Sequence, residues 1–233
     1  GDLPRLRALL SKDPSLANAI ERKRRRQAPD SECGTTLTAG VESGKPEVVE
    51  LLLAAGADPD GSGRSNRKTP LHFAADLPPE SDSGVRIAEM LLSRGARPDR
   101  LDDSGRAPVH VLLNHGGSPE ARLPLLRLLL AQPGGAALRD REGQTPLHLV
   151  ARFRQAVLLE ALLLAGADPN AKVTTMERLD GAEPINGETP LHAAIRGSEG
   201  SGRTEGVFEL CAAGADLAAR SDAGQTPEAL ARA

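Results

Sequence analysis

The sequence predicts an all-α solenoid, in which helix–turn–helix units stack through β-hairpin-like loops. Two observations carry this prediction. The tetrapeptide Thr-Pro-Leu-His stands intact at Thr69–His72, Thr145–His148 and Thr189–His192, with degraded copies starting at Thr35, Ala107 and Thr226. A second phrase, Leu-x-x-x-Gly-Ala-Asp in its fullest form, alternates with it and ends at Asp58, Asp168 and Asp216, with a shortened copy around Gly95. Two phrases recurring in fixed order mean copies of one unit, and such units bury their apolar faces against their neighbours.

Each phrase has a local physical meaning. Thr is a good helix N-cap because its hydroxyl accepts a bond from an otherwise unpaired backbone N–H. Pro at the first helical position loses no hydrogen bond, and its φ is already helical. Leu-His-x-Ala-Ala then gives a short first helix with small residues on one side, where another helix can approach closely. Between Val48 and Leu53 apolar residues recur at helical spacing, which predicts a second helix packed on the first. Gly56 falls where a left-handed residue would end that helix. A polar, Gly-containing stretch then turns back toward the next Thr-Pro.

This unit resembles the ankyrin repeat, and the likeness covers nearly the whole chain. Against that family's pattern of about 33 residues, it implies a single domain over 1–233. Full repeats are expected at 34–66, 67–104, 105–142, 143–186 and 187–223. Residues 1–33 read as a partial first repeat followed by a long basic loop, and 224–233 as a partial last repeat. The chain starts inside a repeat, so the expectation is a fragment of a longer protein.

Departures from the pattern carry the chain's individuality. Extra residues lie between Asn18 and Thr35, including the basic run Arg22–Arg26, and between Asn170 and Thr189, including Val173, Met176, Leu179 and Ile185. The second insertion is expected to be a protruding finger. The Gly-rich stretch Gly200–Gly206 lacks the Gly-Lys-Ser/Thr of a phosphate-binding loop and reads as a plain loop.

Composition narrows the function classes. The net charge is −3, which gives no bulk attraction to nucleic acid or membrane. Aromatics are 1%, with no Trp or Tyr, so bases would find few stacking surfaces. No apolar stretch approaches the roughly 18 residues of a spanning helix. Cys33 and Cys211 lie too far apart in the stack to bridge and are expected to be free thiols, as in a reducing compartment. The expected location is intracellular and cytoplasmic, with Arg22–Arg26 as a candidate nuclear-import signal and, more simply, a solvated loop.

No catalytic or metal-binding set emerges. His72, His110, His148 and His192 hold the same place in successive repeats, and the ankyrin resemblance implies a structural hydrogen-bonding role for each. The expectation is a non-catalytic, monomeric protein-interaction module with no cofactor and no metal. The alternative is the targeting or substrate-recognition part of a larger enzyme or E3-ligase adaptor.

The resemblance implies a protein or peptide partner held on a concave face, by hairpin tips and the exposed ends of first helices. The family's variable positions map in the first hairpin to Arg64, Asn66 and Lys68, and in the second to Asp103 and Arg106. They continue at Arg141, Glu142 and Gln144, then at Ile185 and Glu188. On the helix ends they map to Asp76, Asn114, His115, Arg152, Phe153 and Arg196. Phe153, flanked by arginines, is the expected hot spot, whereas Phe73 and Phe208 are expected to pack and Leu52 and Leu163 are expected to be buried.

Overall fold

The computed structural model describes residues 3–19, 34–63, 66–114, 118–153, 155–174, 186–198 and 206–232. The basic run Arg22–Arg26, Cys33, the Gly200–Gly206 stretch up to 205, and Met176, Leu179 and Ile185 lie outside them. Helices carry the regular structure among the described residues. The chain divides into two compact units, Gly1–Gly117 and Ser118–Ala233.

Unit 1 opens with α1 (Leu3–Lys12) and a single 3-10 turn, Pro14–Asn18. First and second helices then alternate: α2 (Thr36–Glu42), α3 (Pro46–Ala54), α4 (Pro70–Ala75), α5 (Ser83–Ser93) and α6 (Pro108–Asn114). Helix α4 packs on α2, α5 and α6, and α3 packs on α1, α2 and α5. Helices α3 and α4 therefore each touch their own repeat partner and their counterparts in the neighbouring repeats. Leu37, Val49, Leu52, Leu71, Ile87 and Leu91 fill the space between them.

Unit 2 repeats the scheme with α7 (Pro119–Leu130), α8 (Pro146–Phe153), α9 (Ala156–Leu164), α10 (Pro190–Ser198), α11 (Val207–Ala212) and α12 (Pro227–Ala231). Helix α8 lies against α9 and α10, and α10 against α11 and α12. The α8–α10 approach is close because Gly197 faces the backbone of Arg152, leaving no room for a Cβ. Leu147, Leu158, Leu159, Leu162, Leu191 and Leu210 are the buried row.

Glycine ends the second helices as their sequence predicts. Gly56, Gly95, Gly166 and Gly214 have φ of 87°, 87°, 83° and 86°, in the left-handed region that costs other residues energy. Beyond two of these stops, an Asn side chain staples one repeat to the next. The Asn18 amide donates to the Gly56 carbonyl (2.9 Å) and accepts from Asp58 N–H (2.7 Å). Asn170 does the same with Gly214 (3.0 Å) and Asp216 (2.7 Å).

The histidines lock first helices to hairpins. In His72, His148 and His192, Nδ1 accepts the N–H of the preceding Thr, at 3.1 Å each. That bond places the ring proton on Nε2, which donates to the next repeat's backbone. The acceptors are the carbonyls of Arg106 (2.9 Å), Glu188 (3.3 Å) and Gln225 (3.2 Å). All three rings are buried. Burial pushes each imidazole below its usual pKa, that of His148 to about 4, and the carbonyl bonds only partly offset it.

Three expectations need correction. Phe208 does not pack: it is 77% exposed, because it lies two residues from the buried Leu210 and so on nearly the opposite side of α11. Leu163 is only half-buried, and the core residues of α9 are Leu158, Leu159 and Leu162. Val173 does not protrude. It is 2% exposed, donates to the Glu188 carbonyl (2.8 Å) and accepts from Gly187 N–H (2.9 Å), so it forms the base of its hairpin.

Candidate functional site

The hairpins and the ends of the first helices are the surface on which the sequence places contact residues. Four hairpins close through a backbone bond of the same kind. Asp102 N–H donates to the Arg106 carbonyl (2.9 Å), Asp140 to Gln144 (3.0 Å), Val173 to Glu188 (2.8 Å) and Ser221 to Gln225 (2.9 Å). Tips of neighbouring hairpins join in the same way within each unit: Asp103 to Asn66 and Asp222 to Asn186, both at 3.0 Å. A rigid base thus carries a variable tip.

In unit 1, Lys68 sits just before the Thr cap of α4 and reaches to the helix end. Its ammonium lies 3.3 Å from Asp76 and 5.7 Å from the centre of the Phe73 ring. Arg106 folds back on Asp102, its Nε and Nη2 donating to one carboxylate oxygen at 3.3 and 3.1 Å. The buried Asp102 also accepts from the N–H groups of Ser104 and Arg106, which fixes the hairpin. Asp103 and Asn114 are exposed and Asn66 half-exposed. Arg64 and His115 lie outside the described residues.

In unit 2, Arg141, Arg152 and Phe153 are exposed, Phe153 by 52%. Glu142 is half-exposed and accepts from the Gln144 amide at 2.7 Å. Two of the expected contact residues are not on the surface. Gln144 is 5% exposed and Glu188 4%. Both sit immediately before a Thr cap, where the side chain turns under the hairpin rather than out of it. Glu188 accepts from Arg196 Nε and Nη2 at 2.9 and 2.7 Å. Arg196, still 41% exposed along its side chain, also donates to Gln225 at 3.4 Å.

The two ion pairs are one device with its sign reversed. Lys68–Asp76 and Glu188–Arg196 each join the residue before the Thr cap to a residue eight positions on, at the far end of the first helix. The pair pins the helix end to the hairpin base whichever partner carries the positive charge.

The arrangement presents hydrogen-bonding and charged groups but no reactive set. His72, His148 and His192 are favoured in the neutral form by burial and are committed to backbone, and no group of three or more His, Cys, Asp or Glu among the described residues could hold a metal. No helix among them is long and apolar enough to cross a membrane. Cys211 is an exposed free thiol. Sequence reasoning passed over Arg139, Lys172 and Arg220. A basic residue six positions before Thr145 and Thr226 was a readable signal, but the insertion after Thr174 hides the third member.

Comparison with known proteins agrees with this architecture. A family model for ankyrin repeats in three copies matches residues 80–173, and one for the single ankyrin repeat matches 186–222. The chain is 36% identical to human neurogenic locus notch homolog protein 4 over 129 residues, 55% of this chain and 6% of that protein. It is 26% identical to the putative palmitoyltransferase ZDHHC13 of Danio rerio over 199 residues, 85% of this chain and 27% of that protein. The chain thus spans a small part of these relatives. The crystal structure of the ankyrin repeat domain of Bcl-3 matches with a TM-score of 0.75 at 24% identity, covering 100% of this chain and 90% of that one. The motifs, the helix pairs and these matches agree that the chain belongs to the ankyrin repeat family, with an all-α solenoid fold of a kind that serves as a protein-interaction module.

Proposed function

We propose that this chain is a non-catalytic recognition module that holds a protein or peptide partner with its hairpin tips and first-helix ends, a concave face in the family. The observation that carries the reading is Phe153. It is a large apolar side chain left half in solvent at the end of α8, beside the exposed Arg152. Aromatic and arginine side chains together dominate the energetics of protein interfaces. Arg141, Arg152 and Arg196 supply polar contacts in unit 2, and Asn66, Lys68, Asp103, Arg106 and Asn114 supply them separately in unit 1. Gln144 and Glu188 act from beneath, by holding Glu142 and Arg196 in place.

The test is affinity capture followed by mass spectrometry, comparing the chain with Phe153→Ala. A partner bound through this surface is lost or weakened by about 2 kcal/mol, with the melting temperature unchanged. A sharp fall in melting temperature, with undiminished binding per folded molecule, assigns Phe153 to packing and overturns the reading.

A second reading rests on the small share of its relatives that the chain covers, one of them named as a palmitoyltransferase. In that reading the repeats recruit substrate for an active domain elsewhere in a longer protein. In either case the module works as a monomer inside the cell, which light scattering and microscopy of tagged protein test directly.

A further inference from the structure

We propose that Arg139, Lys172 and Arg220 form a cationic track on unit 2 that takes an extended acidic peptide running across the hairpins. The three residues hold equivalent places, each immediately before the residue whose N–H closes its hairpin. Their side chains link successive repeats. Arg139 Nη1 donates to the Gly143 carbonyl of its own hairpin and to the Lys172 carbonyl of the next, both at 2.7 Å. Lys172 Nζ donates to the Arg220 carbonyl at 3.2 Å, and Arg220 Nη1 to the Gly224 carbonyl at 3.0 Å. The cations are therefore held in a line by neutral acceptors.

Their charge is not consumed. All three are exposed, and among the described residues none pairs with a carboxylate. A carbonyl occupies part of each donor set and leaves the remaining N–H groups to solvent or to a ligand. The repeat architecture does not require a cation at this place. The corresponding residues of unit 1 are Gly63 and Leu101, and the hairpin that follows Leu101 closes in the same way.

Geometry selects the ligand. Successive repeats in such a stack lie about 10 Å apart. An extended peptide advances about 3.3 Å per residue. An acidic residue at every third position therefore meets each cation in turn. Discrete carboxylates also suit the setting better than a continuous phosphate chain, because Asp140 and Asp222 stand in the same hairpins and would repel phosphates between the cations. The track uses none of the residues assigned to the interface above, so this site stands or falls apart from that one.

The experiment uses fluorescence anisotropy on the full chain at low salt, with a labelled peptide of five Glu-Ser-Gly units. A control peptide carries the same residues with its glutamates in one block, and single-stranded oligouridine is a second probe. The spaced peptide should bind more tightly than the block, and binding should weaken as salt rises. Combining R139Q, K172Q and R220Q should reduce affinity about tenfold. R127Q, on the far helix α7, should leave it unchanged. Charge-retaining R139K should keep most of the binding. Equal binding of the two peptides, or full binding by the triple variant, overturns the proposal. So does tighter binding of oligouridine, which would make the track a nucleic-acid surface. If the triple variant does not fold, amide chemical shifts of the unaltered chain decide. Changes centred on Gly143, Lys172 and Gly224 support the track, and changes confined elsewhere refute it.

Discussion

The neutral, buried His148 makes the fold sensitive to acid, and the size of the effect follows from its surroundings. Burial lowers its pKa from 6.5 to about 4 in the folded chain. The folded state therefore prefers the uncharged ring, and the unfolded chain binds a proton first as pH falls. The stabilisation is complete above pH 6.5 and is lost as pH falls toward 4. One pKa unit corresponds to about 1.4 kcal/mol, so His148 alone contributes roughly 3 kcal/mol, of which roughly 2 is gone by pH 5. His72 and His192 shift in the same direction and add to the loss. Against the roughly 5–15 kcal/mol stability of a typical domain, these terms place the onset of acid unfolding well above the range in which carboxylates titrate.

The assay is urea unfolding followed by circular dichroism in steps from about pH 7.5 to 4.5, on the chain and on His148→Gln. The substitution should cost stability at neutral pH, because it removes the bonds to Thr145 N–H and the Glu188 carbonyl. It should also flatten the pH dependence by roughly 2 kcal/mol between pH 7 and 5. If both proteins lose stability in parallel over that interval, the ring is not held neutral and the reasoning fails.

Leu162→Ala should destabilise by about 2–5 kcal/mol, as emptying a fully buried Leu site does, while Leu163→Ala, half in solvent, should cost clearly less; denaturant midpoints compare them. Deleting residues 174–183 should leave the melting temperature nearly unchanged, because closing a shorter loop alters the free energy slowly. Starting the same deletion at Lys172 should lower the melting temperature, because it also removes Val173 from the hairpin base.

The repeating part of the fold was legible because it is written several times over. Thr-Pro marks α4, α8, α10 and α12, Gly at a left-handed position ends α3, α5, α9 and α11, and a histidine stands at the same place in α4, α6, α8 and α10. What the repeat could not disclose was direction and register. Three consecutive leucines end α9, and only the rotation of about 100° per residue decides that Leu162 joins Leu158 and Leu159 in the core. Phe208 stands two positions from Leu210 and faces outward for the same reason. The insertion after Asn170 hid where its hairpin begins, since no turn signature fixes the pairing of Val173 with Glu188. Gln144 and Glu188 occupy places that look like tips in the linear pattern, yet their side chains turn inward to hold a neighbour.

Comparison of equivalent positions separates what the architecture demands from what it leaves open. His72, His148 and His192 are each fixed by two backbone bonds, one to the Thr cap and one to the next hairpin. The clamp between hairpin base and helix end demands only opposite charges, and the two units answer with opposite signs. The first-helix ends consequently read Asp76 and Asn114 in unit 1 and Arg152 and Arg196 in unit 2. A partner bound at the unit 2 set must offer acidic groups to Arg152 and Arg196. Exchanging Glu188 and Arg196 keeps the clamp and inverts the exposed charge. Stability should survive the exchange while partner binding through unit 2 falls, and equal binding by the exchanged chain would show that the helix ends carry no recognition.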